Sequence, residues 1–346
     1  MTQPTHKVRI QPSGHEITVQ PNETVLAAAL REGVLLPYSC RSGSCGACKG
    51  KLLSGSVDYG EYEEKALSPA ERAQGKALFC QARPLTDLVI EAREIVAPKD
   101  IVIKTLPARV IKLERAAHDV MLLSLKPPQA ERFEFLAGQY IDILLPGNER
   151  RSFSLANPPQ QADTLELHVR HVPGGKFTGQ VFTQLKEKDL LRFRGPLGMF
   201  FLQEPDEPGT PRPILLIAGG TGFAPIKSIV LDAIARADKR PLHFYWGVRA
   251  RRDLYMHELA EGWTRTHPGF RYTPVLSEPA AGDAWSGRTG WVHDAVLADY
   301  PDLRRHEIYA SGPPPMIDAI NHSFPARGLE EGRLHYDSFE FAHAVK

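Results

Sequence analysis

Four cysteines in 346 residues, all within the first 80 positions, constrain this chain more than any other feature. Three stand in Cys40-Arg-Ser-Gly-Ser-Cys45-Gly-Ala-Cys48 and the fourth, Cys80, stands alone, so their order is C-x4-C-x2-C…C. That spacing suits a [2Fe–2S] cluster, because two irons need four convergent thiolates, three from one tight loop and one returning from elsewhere. Gly43 and Gly46 let the loop curl and bring backbone N–H groups close to the sulfurs. A structural zinc site would give Cys80 a close second ligand, which it lacks. A disulfide inside so short a loop would strain it. Cys40, Cys45, Cys48 and Cys80 are therefore the candidate metal ligands.

A chain of 346 residues exceeds one ordinary core, and two or three domains are expected. Lys plus Arg (42) nearly balance Asp plus Glu (41), which points away from nucleic acid and from a membrane surface. The first residues, Met1 to Lys7, carry no basic segment followed by an apolar one, and apolar runs such as Pro213–Ala218 are too short to span a bilayer. With reduced cysteines holding iron, the expected location is the cytoplasm. No internal repeat stands out.

Residues 1–97 read as a small mixed sheet wrapped on a helix. Lys7–Gln11 and Glu16–Val19 alternate around a Pro12-Ser-Gly14 turn as a hairpin. Asn22 or Thr24 caps a helix running to Arg31 and stopped by Gly33, and Ser68-Pro-Ala-Glu71 is a second capping pattern. Lys49–Gly55 reads as a strand, and Phe79-Cys80-Gln-Ala-Arg83 is expected to open the last one, through Asp87–Glu91. The segment resembles a plant-type ferredoxin domain, which implies a β-grasp fold. Free ferredoxins of that family are strongly acidic, whereas residues 1–100 here hold 12 basic and 12 acidic side chains. A domain tethered to its electron donor needs less long-range steering. The acidic run Asp58–Glu64 is expected to be a solvated loop, with a basic redox partner the alternative.

Pro98–Asp100 reads as a linker. From 104 to 206, short runs at Ala108–Lys112, Val120–Leu125, Tyr140–Leu145, Thr164–Arg170 and Leu190–Arg194, separated by Pro and Gly, predict an antiparallel β-barrel. Within it, Arg151-Ser-Phe-Ser154, with Gly138-Gln-Tyr140 before and Gly195-Pro-Leu-Gly198 after, resembles the flavin domain of the ferredoxin–NADP reductase family, whose usual motif is Arg-x-Tyr-Ser. The resemblance implies FAD and carries its site onto Arg151, Ser152, Phe153 and Ser154, onto His168, Val169 and Arg170, and onto Gly175, Lys176 and Thr178. Arg151 would take the pyrophosphate, and Ser154 would hydrogen-bond near flavin N5. Phe153, in the usual Tyr position, keeps the packing and loses the phenolic hydrogen bond. The helix after Pro173-Gly-Gly would receive a phosphate at its N-terminus. As a metal pair His168 and His171 fail, because residues three apart on a strand face opposite sides.

Residues 207–346 alternate strands and helices, which predicts a doubly wound parallel α/β sheet with its ligand at the carboxyl ends of the strands. Pro213–Ala218 leads through Gly219-Gly220-Thr221-Gly222 into a helix. This is not Gly-x-Gly-x-x-Gly; it resembles the nicotinamide-binding turn of the same reductase family. That family's Cys-Gly-Pro-Pro-x-Met stands here as Ser311-Gly312-Pro-Pro-Pro-Met316, so Ser311 would position the nicotinamide without a polarisable sulfur. Arg249, Arg251, Arg252 and Asp253 follow the second strand and admit either NADH or NADPH; the resemblance favours NADH, with Arg249 a contact. Among the terminal aromatics, Phe339 or Tyr336 would shield a flavin face.

The whole chain thus resembles three-domain flavin iron–sulfur reductases, near the CDP-6-deoxy-3,4-glucoseen reductase group. The resemblance implies an oxidoreductase that passes electrons from NAD(P)H to FAD, to [2Fe–2S], and on to a separate acceptor protein, a dehydrase or an oxygenase component. The reductase component of an aromatic or alkane oxygenase is the alternative within that class. A redox-sensing binding protein is the alternative outside it, and sustained turnover with artificial acceptors separates the two.

Overall fold

The polar–apolar alternation at the start of the chain becomes an antiparallel hairpin of β1 (His6–Gln11) and β2 (Glu16–Val19), which buries Val8, Ile10, Ile17 and Val19 on one face. Thr24 caps α1 (Val25–Arg31): its hydroxyl accepts from the Ala27 N–H at 3.2 Å, and Val25, Leu26, Ala28 and Ala29 form the buried stripe. β3 (Lys49–Ser54) leaves the cysteine loop, and β4 (Val57–Asp58) follows. Ser68 and Glu71 complete a reciprocal capping box on α2 (Pro69–Ala73), with proline in the first turn. β5 (Lys76–Leu78), β6 (Arg83–Pro84) and β7 (Leu88–Glu91) finish the unit. The sheet order is β2-β1-β7-β3-β5, with β1 parallel to β7, and β4 pairs with β6 in a separate ribbon. One expectation is corrected. Residues 79–81 do not open the last strand: Gln81 and Ala82 N–H groups both return to the Leu78 carbonyl, so Cys80 stands in a turn.

The computed structural model describes residues 4–94, 101–204 and 212–339, in two compact units, Met1–Asp100 and Ile101–Lys346. The linker expected at Pro98–Asp100, the domain limits at 97, 206 and 207, and the tail beyond Phe339 lie outside the described residues.

The second unit opens with β8 (Lys104–Arg115), β9 (Val120–Lys126), β10 (Tyr140–Leu144), β11 (Arg150–Ser154), β12 (Leu165–Arg170), α3 (Lys176–Thr183) and β13 (Leu190–Leu197). The antiparallel order is β11-β10-β13-β8-β9-β12. Its two outer strands meet through the Leu155–Leu167 bridge, which turns the sheet into a barrel. Leu123, Leu125, Ile141, Ile143, Leu167 and Phe193 fill it.

The rest is a parallel sheet. β14 (Ile214–Gly219) leads through the glycine turn to α4 (Phe223–Ala235), then β15 (Leu242–Val248), α5 (His257–Thr266), β16 (Phe270–Leu276) and β17 (Arg288–Thr289). α6 (Val292–Asp299), β18 (Glu307–Gly312), α7 (Pro314–Ser323) and β19 (Leu334–Ser338) follow. The order β17-β16-β15-β14-β18-β19 reverses direction between β14 and β18, the switch point at which such sheets bind ligands. β14 and β18 are buried along their whole length, as strands covered on both faces must be. Among the described residues no helix is long and apolar enough to cross a membrane.

Candidate functional site

The four cysteine thiols come together in two pairs. All four are free; Cys45 donates a hydrogen bond to Cys40 and Cys48 to Cys80, with electrostatic coupling between Cys45 and Cys48 and between Cys40 and Cys80. Among the described residues, the one trio of metal-ligating atoms gathered within 4.8 Å of one another is His118, Asp119 and Asp253, and no three cysteine sulfurs form such a trio. A single tetrahedral zinc needs its sulfurs roughly 3.8 Å apart on every edge, so two-plus-two pairing fits a two-iron centre and not one zinc. The carboxylates of the His118 trio are engaged elsewhere: Asp119 with Arg170 at 2.8 Å, Asp253 with Arg252 at 4.0 Å.

The Cys45 thiol, helped by the Ser42 and Ser44 N–H groups, holds Cys40 down at about 5 against burial. Cys48, helped by the Gly43 N–H, lowers Cys80. Bonding to those thiolates, and then burial, raises Cys45 and Cys48. Metal binding takes the remaining protons. The loop owes its curl to Gly43 (φ 79°) and Gly46 (φ 78°). A Cβ on Gly43 would stand 2.7 Å from the Glu61 carbonyl oxygen, and Glu63 N–H donates to the Gly43 carbonyl at 3.1 Å. The acidic run Asp58–Glu64 therefore braces the cysteine loop through its backbone while Asp58, Glu61 and Glu64 stay exposed.

In the barrel, Arg151 and Lys176 reach one carboxylate. Glu149 accepts from Arg151 Nη2 at 2.9 Å and Lys176 Nζ at 3.1 Å, and Lys176, then Arg151, hold it below the usual carboxylate range. Two cations converging on one anion, at the start of β11 and the first residue of α3, form a cradle that a pyrophosphate can occupy in place of the carboxylate. Gly175 is tight: a Cβ there would be 2.5 Å from Thr178 Oγ1, which bonds back to the Val172 N–H and carbonyl. Phe153 packs on buried Phe177, ring centroids 5.5 Å apart, and Ser152 donates to Asp142 at 2.7 Å. Arg151→Ala is expected to leave a folded, flavin-poor protein, measured as flavin per chain after gel filtration, while Lys176→Ala, whose side chain is largely exposed, loses less.

Ser154 is buried, and its hydroxyl donates to Asp337 Oδ2 at 3.3 Å. Sequence reasoning did not single out Asp337. It lies on β19, where the backbone register pairs it with Ser311, so the residue whose carboxylate holds the serine expected beside a flavin stands on the strand next to the serine expected beside a nicotinamide. The available signal was an acid inside a strand, a place where Asp is depleted. Ser311 is wholly buried, with no hydrogen-bond partner for its Oγ among the described residues. Such an orphan hydroxyl suits a polar ligand group. Phe339 donates its N–H to the Gly312 carbonyl, whereas Tyr336 packs into the sheet core.

The glycine turn closes on this strand. A Cβ on Gly222 would overlap the Ser311 carbonyl, one on Gly219 would lie 2.7 Å from Pro313, and Gly220 holds φ 55° with its carbonyl accepting from Trp246 Nε1 at 2.9 Å. Thr221 sits between these glycines, and Arg249 is exposed at the end of β15. Of the residues expected on β12, Val169 lies in the barrel core, and Arg170 reaches over the turn, its Nη1 3.2 Å from where a Gly220 Cβ would stand. His168 gives its ring nitrogens to Tyr255 and Glu166.

Glu166 also links the charge balance to stability. Burial pushes its carboxyl up, but His168 and Lys227 outweigh that and hold it at about 2. A depressed folded-state pKa contributes stability above the unfolded value and loses it as pH falls toward the folded one. On the order of 3 kcal/mol should therefore disappear between about pH 4.5 and pH 2. Acid titration of the tryptophan emission checks this, since all four tryptophans lie between residues 246 and 291, and Glu166→Gln should flatten that limb.

Three family models match in chain order: a 2Fe-2S iron-sulfur cluster binding domain over residues 8–85, an oxidoreductase FAD-binding domain over 107–202, and an oxidoreductase NAD-binding domain over 216–322. The chain is 40% identical over 332 residues to the CDP-6-deoxy-L-threo-D-glycero-4-hexulose-3-dehydrase reductase of Yersinia pseudotuberculosis, covering 96% of this chain and 98% of that one. It is 41% identical over 334 residues to the aromatic O-demethylase reductase subunit of Amycolatopsis, covering 94% and 96%. Among solved structures it matches a cytochrome P450 reductase of Amycolatopsis at TM-score 0.79 and 39% identity, over 97% of this chain and 99% of the other. With the paired thiols, the cation cradle and the glycine turn, these likenesses leave one assignment: the chain belongs to the three-domain flavin iron–sulfur reductases of the ferredoxin–NADP reductase superfamily.

Proposed function

We propose that this chain is the cytoplasmic reductase component of a two-protein system and delivers electrons from reduced nicotinamide to a separate enzyme that cannot take a hydride itself. The supporting observation is the order of the three matched domains in one chain, headed by four thiols paired for two irons. A flavin, when bound, couples two-electron chemistry with nicotinamide to one-electron chemistry with the cluster.

The residues divide the work. Cys40, Cys45, Cys48 and Cys80 hold the irons, with the Ser42, Ser44 and Gly43 N–H groups directed at the sulfurs. Arg151 and Lys176 bind the pyrophosphate of the flavin cofactor, and Phe153 supplies an apolar contact. Ser154, tied to Asp337, presents a hydroxyl whose orientation is fixed from a second strand. Gly219–Gly222 binds the nicotinamide dinucleotide, and the Ser311 hydroxyl orients its ring. Phe339 covers a flavin face.

The Yersinia relative is named for a hexulose dehydrase, and others, at similar identity, for a phenol 2-monooxygenase and an aromatic O-demethylase. We infer a dehydrase of a deoxysugar nucleotide as the acceptor, and an aromatic oxygenase component as the second reading. NADH oxidation coupled to each purified acceptor tests the choice. Sustained turnover with one and not the other assigns it. Reduction that stops after a single exchange of electrons, even with artificial acceptors, would overturn the reductase reading in favour of a sensor.

A further inference from the structure

Leu165, Leu167 and Val169 of β12 fill the barrel, so the alternate residues Glu166, His168 and Arg170 face outward. All three meet the nicotinamide-binding sheet. Glu166 Oε1 accepts from Lys227 Nζ of α4 at 2.8 Å. His168 is buried, with Nε2 2.7 Å from Glu166 Oε1, Nδ1 2.8 Å from the Tyr255 hydroxyl, and its ring stacked toward Phe223, the first residue of α4. Tyr255 stands edge-on to Trp246 at 5.2 Å, and Trp246 holds the Gly220 carbonyl.

This chain of bonds has one satisfied arrangement. The Glu166 carboxylate can only accept, so His168 carries its proton on Nε2; Nδ1 must then accept, and Tyr255 must donate. Burial lowers the His168 pKa, in keeping with a neutral ring. An apolar seam tolerates sliding, whereas a slip here strands a half-buried carboxylate together with a buried imidazole and ammonium.

We propose that Tyr255, His168, Glu166 and Lys227 are positioning residues that lock the turn Gly219–Gly222 in register with the flavin barrel and so set the gap across which hydride passes from reduced nicotinamide to flavin. The inference rests on the reading that both cofactors bind residues 101–346. None of the four side chains needs to touch the reacting atoms. Their effect acts through Phe223 and Trp246 on the turn that carries the nicotinamide.

Tyr255→Phe keeps the ring and removes only the donor. The seam survives it, because Ser228 Oγ donates to the Asn157 carbonyl and Gln160 Nε2 to Asp232 Oδ1, each at 2.7 Å, farther along α4. Anaerobic stopped-flow mixing of the full-length holoprotein with NADH should show flavin reduction at saturation slowed by about 10- to 100-fold, with the dissociation constant for NADH unchanged. Lys227→Met should behave alike, and Tyr255→Phe/His168→Gln should be no slower than the worse single variant. In the oxidised protein without nicotinamide, amide exchange should quicken in residues 165–170 and 219–227. An unchanged saturating rate overturns the proposal, whether or not exchange quickens or NADH binds more weakly; the seam would then hold the fold or the ligand but not the reacting distance. Should Tyr255→Phe fail to fold, Lys227→Met carries the same test. If the unmodified protein is not reduced by NADH, it is the reading of the site that fails.

Discussion

Cys45→Ser is expected to abolish NADH-driven reduction of a one-electron carrier such as cytochrome c while leaving NADH-driven ferricyanide reduction intact. Cys45 and Cys40 form one of the two thiol pairs, so the substitution would remove half the protein ligands this pair could offer one iron. A serine hydroxyl is far less acidic than a thiol and stays protonated where the thiol gives up its proton to metal. Iron content and visible absorbance of the cluster should fall with the cytochrome activity. The flavin signal should remain, because Arg151, Lys176, Ser154 and Asp337 all lie in the second compact unit. Full cytochrome activity in a cluster-free variant would mean that electrons leave by another route, and the proposed pathway would fail.

Gly222→Ala should cost nearly as much function by a different cause. The added Cβ would overlap the Ser311 carbonyl; Gly222 lies in the buried turn after β14 and Ser311 in buried β18, so neither backbone can step aside like a flexible side chain. Roughly 3 kcal/mol of stability should be lost, a fall in melting temperature of about 6–12 °C for a domain of this size. NADH should no longer reduce the flavin even below that melting point, because the turn proposed to bind the dinucleotide would have moved. Gly179→Ala makes the contrast. It sits within α3 with open space around it, and alanine there should stabilise by about 0.5–1 kcal/mol. Equal effects at the two glycines would show that the turn is not held by its contact with Ser311.

What could be read from sequence was chemistry with a fixed local spacing. Cys40, Cys45 and Cys48 announce themselves because one loop must present three sulfurs, and Gly219–Gly222 because a strand must turn into a helix without side chains in the way. Capping at Ser68, and at Thr24 as one of two candidates with Asn22, was legible for the same reason, since a cap is a contact over three residues. Contacts over long separations were not. Asp337 meets Ser154 through β19, an edge strand that a tail of aromatics does not advertise. Tyr255 reads as one more apolar residue after an arginine run, yet it closes a hydrogen bond to a histidine 87 positions earlier. The acidic run at 58–64 was expected to float free. Its side chains at Glu61 and Glu64 stay exposed, but Asp58 accepts from the Gly60 N–H at 3.0 Å and the backbone is pinned against Gly43, and charge patterning carries no information about backbone contacts.

The Ser154–Asp337 bond also imposes a schedule on biosynthesis. The four iron ligands have all been made once residue 80 is in the chain, and β1, β3, β5 and β7 can close around them while the remainder is still being translated. The barrel comes next, yet its serine waits for an acceptor 183 residues downstream, a delay on the order of 10–40 s at ribosomal speed. During that interval the barrel exists with the Ser154 hydroxyl unclaimed, and only the docking of β19 beside β18 fixes it. All four cysteines are thus available to iron early in the life of the polypeptide, whereas the Ser154–Asp337 bond is among the last to form.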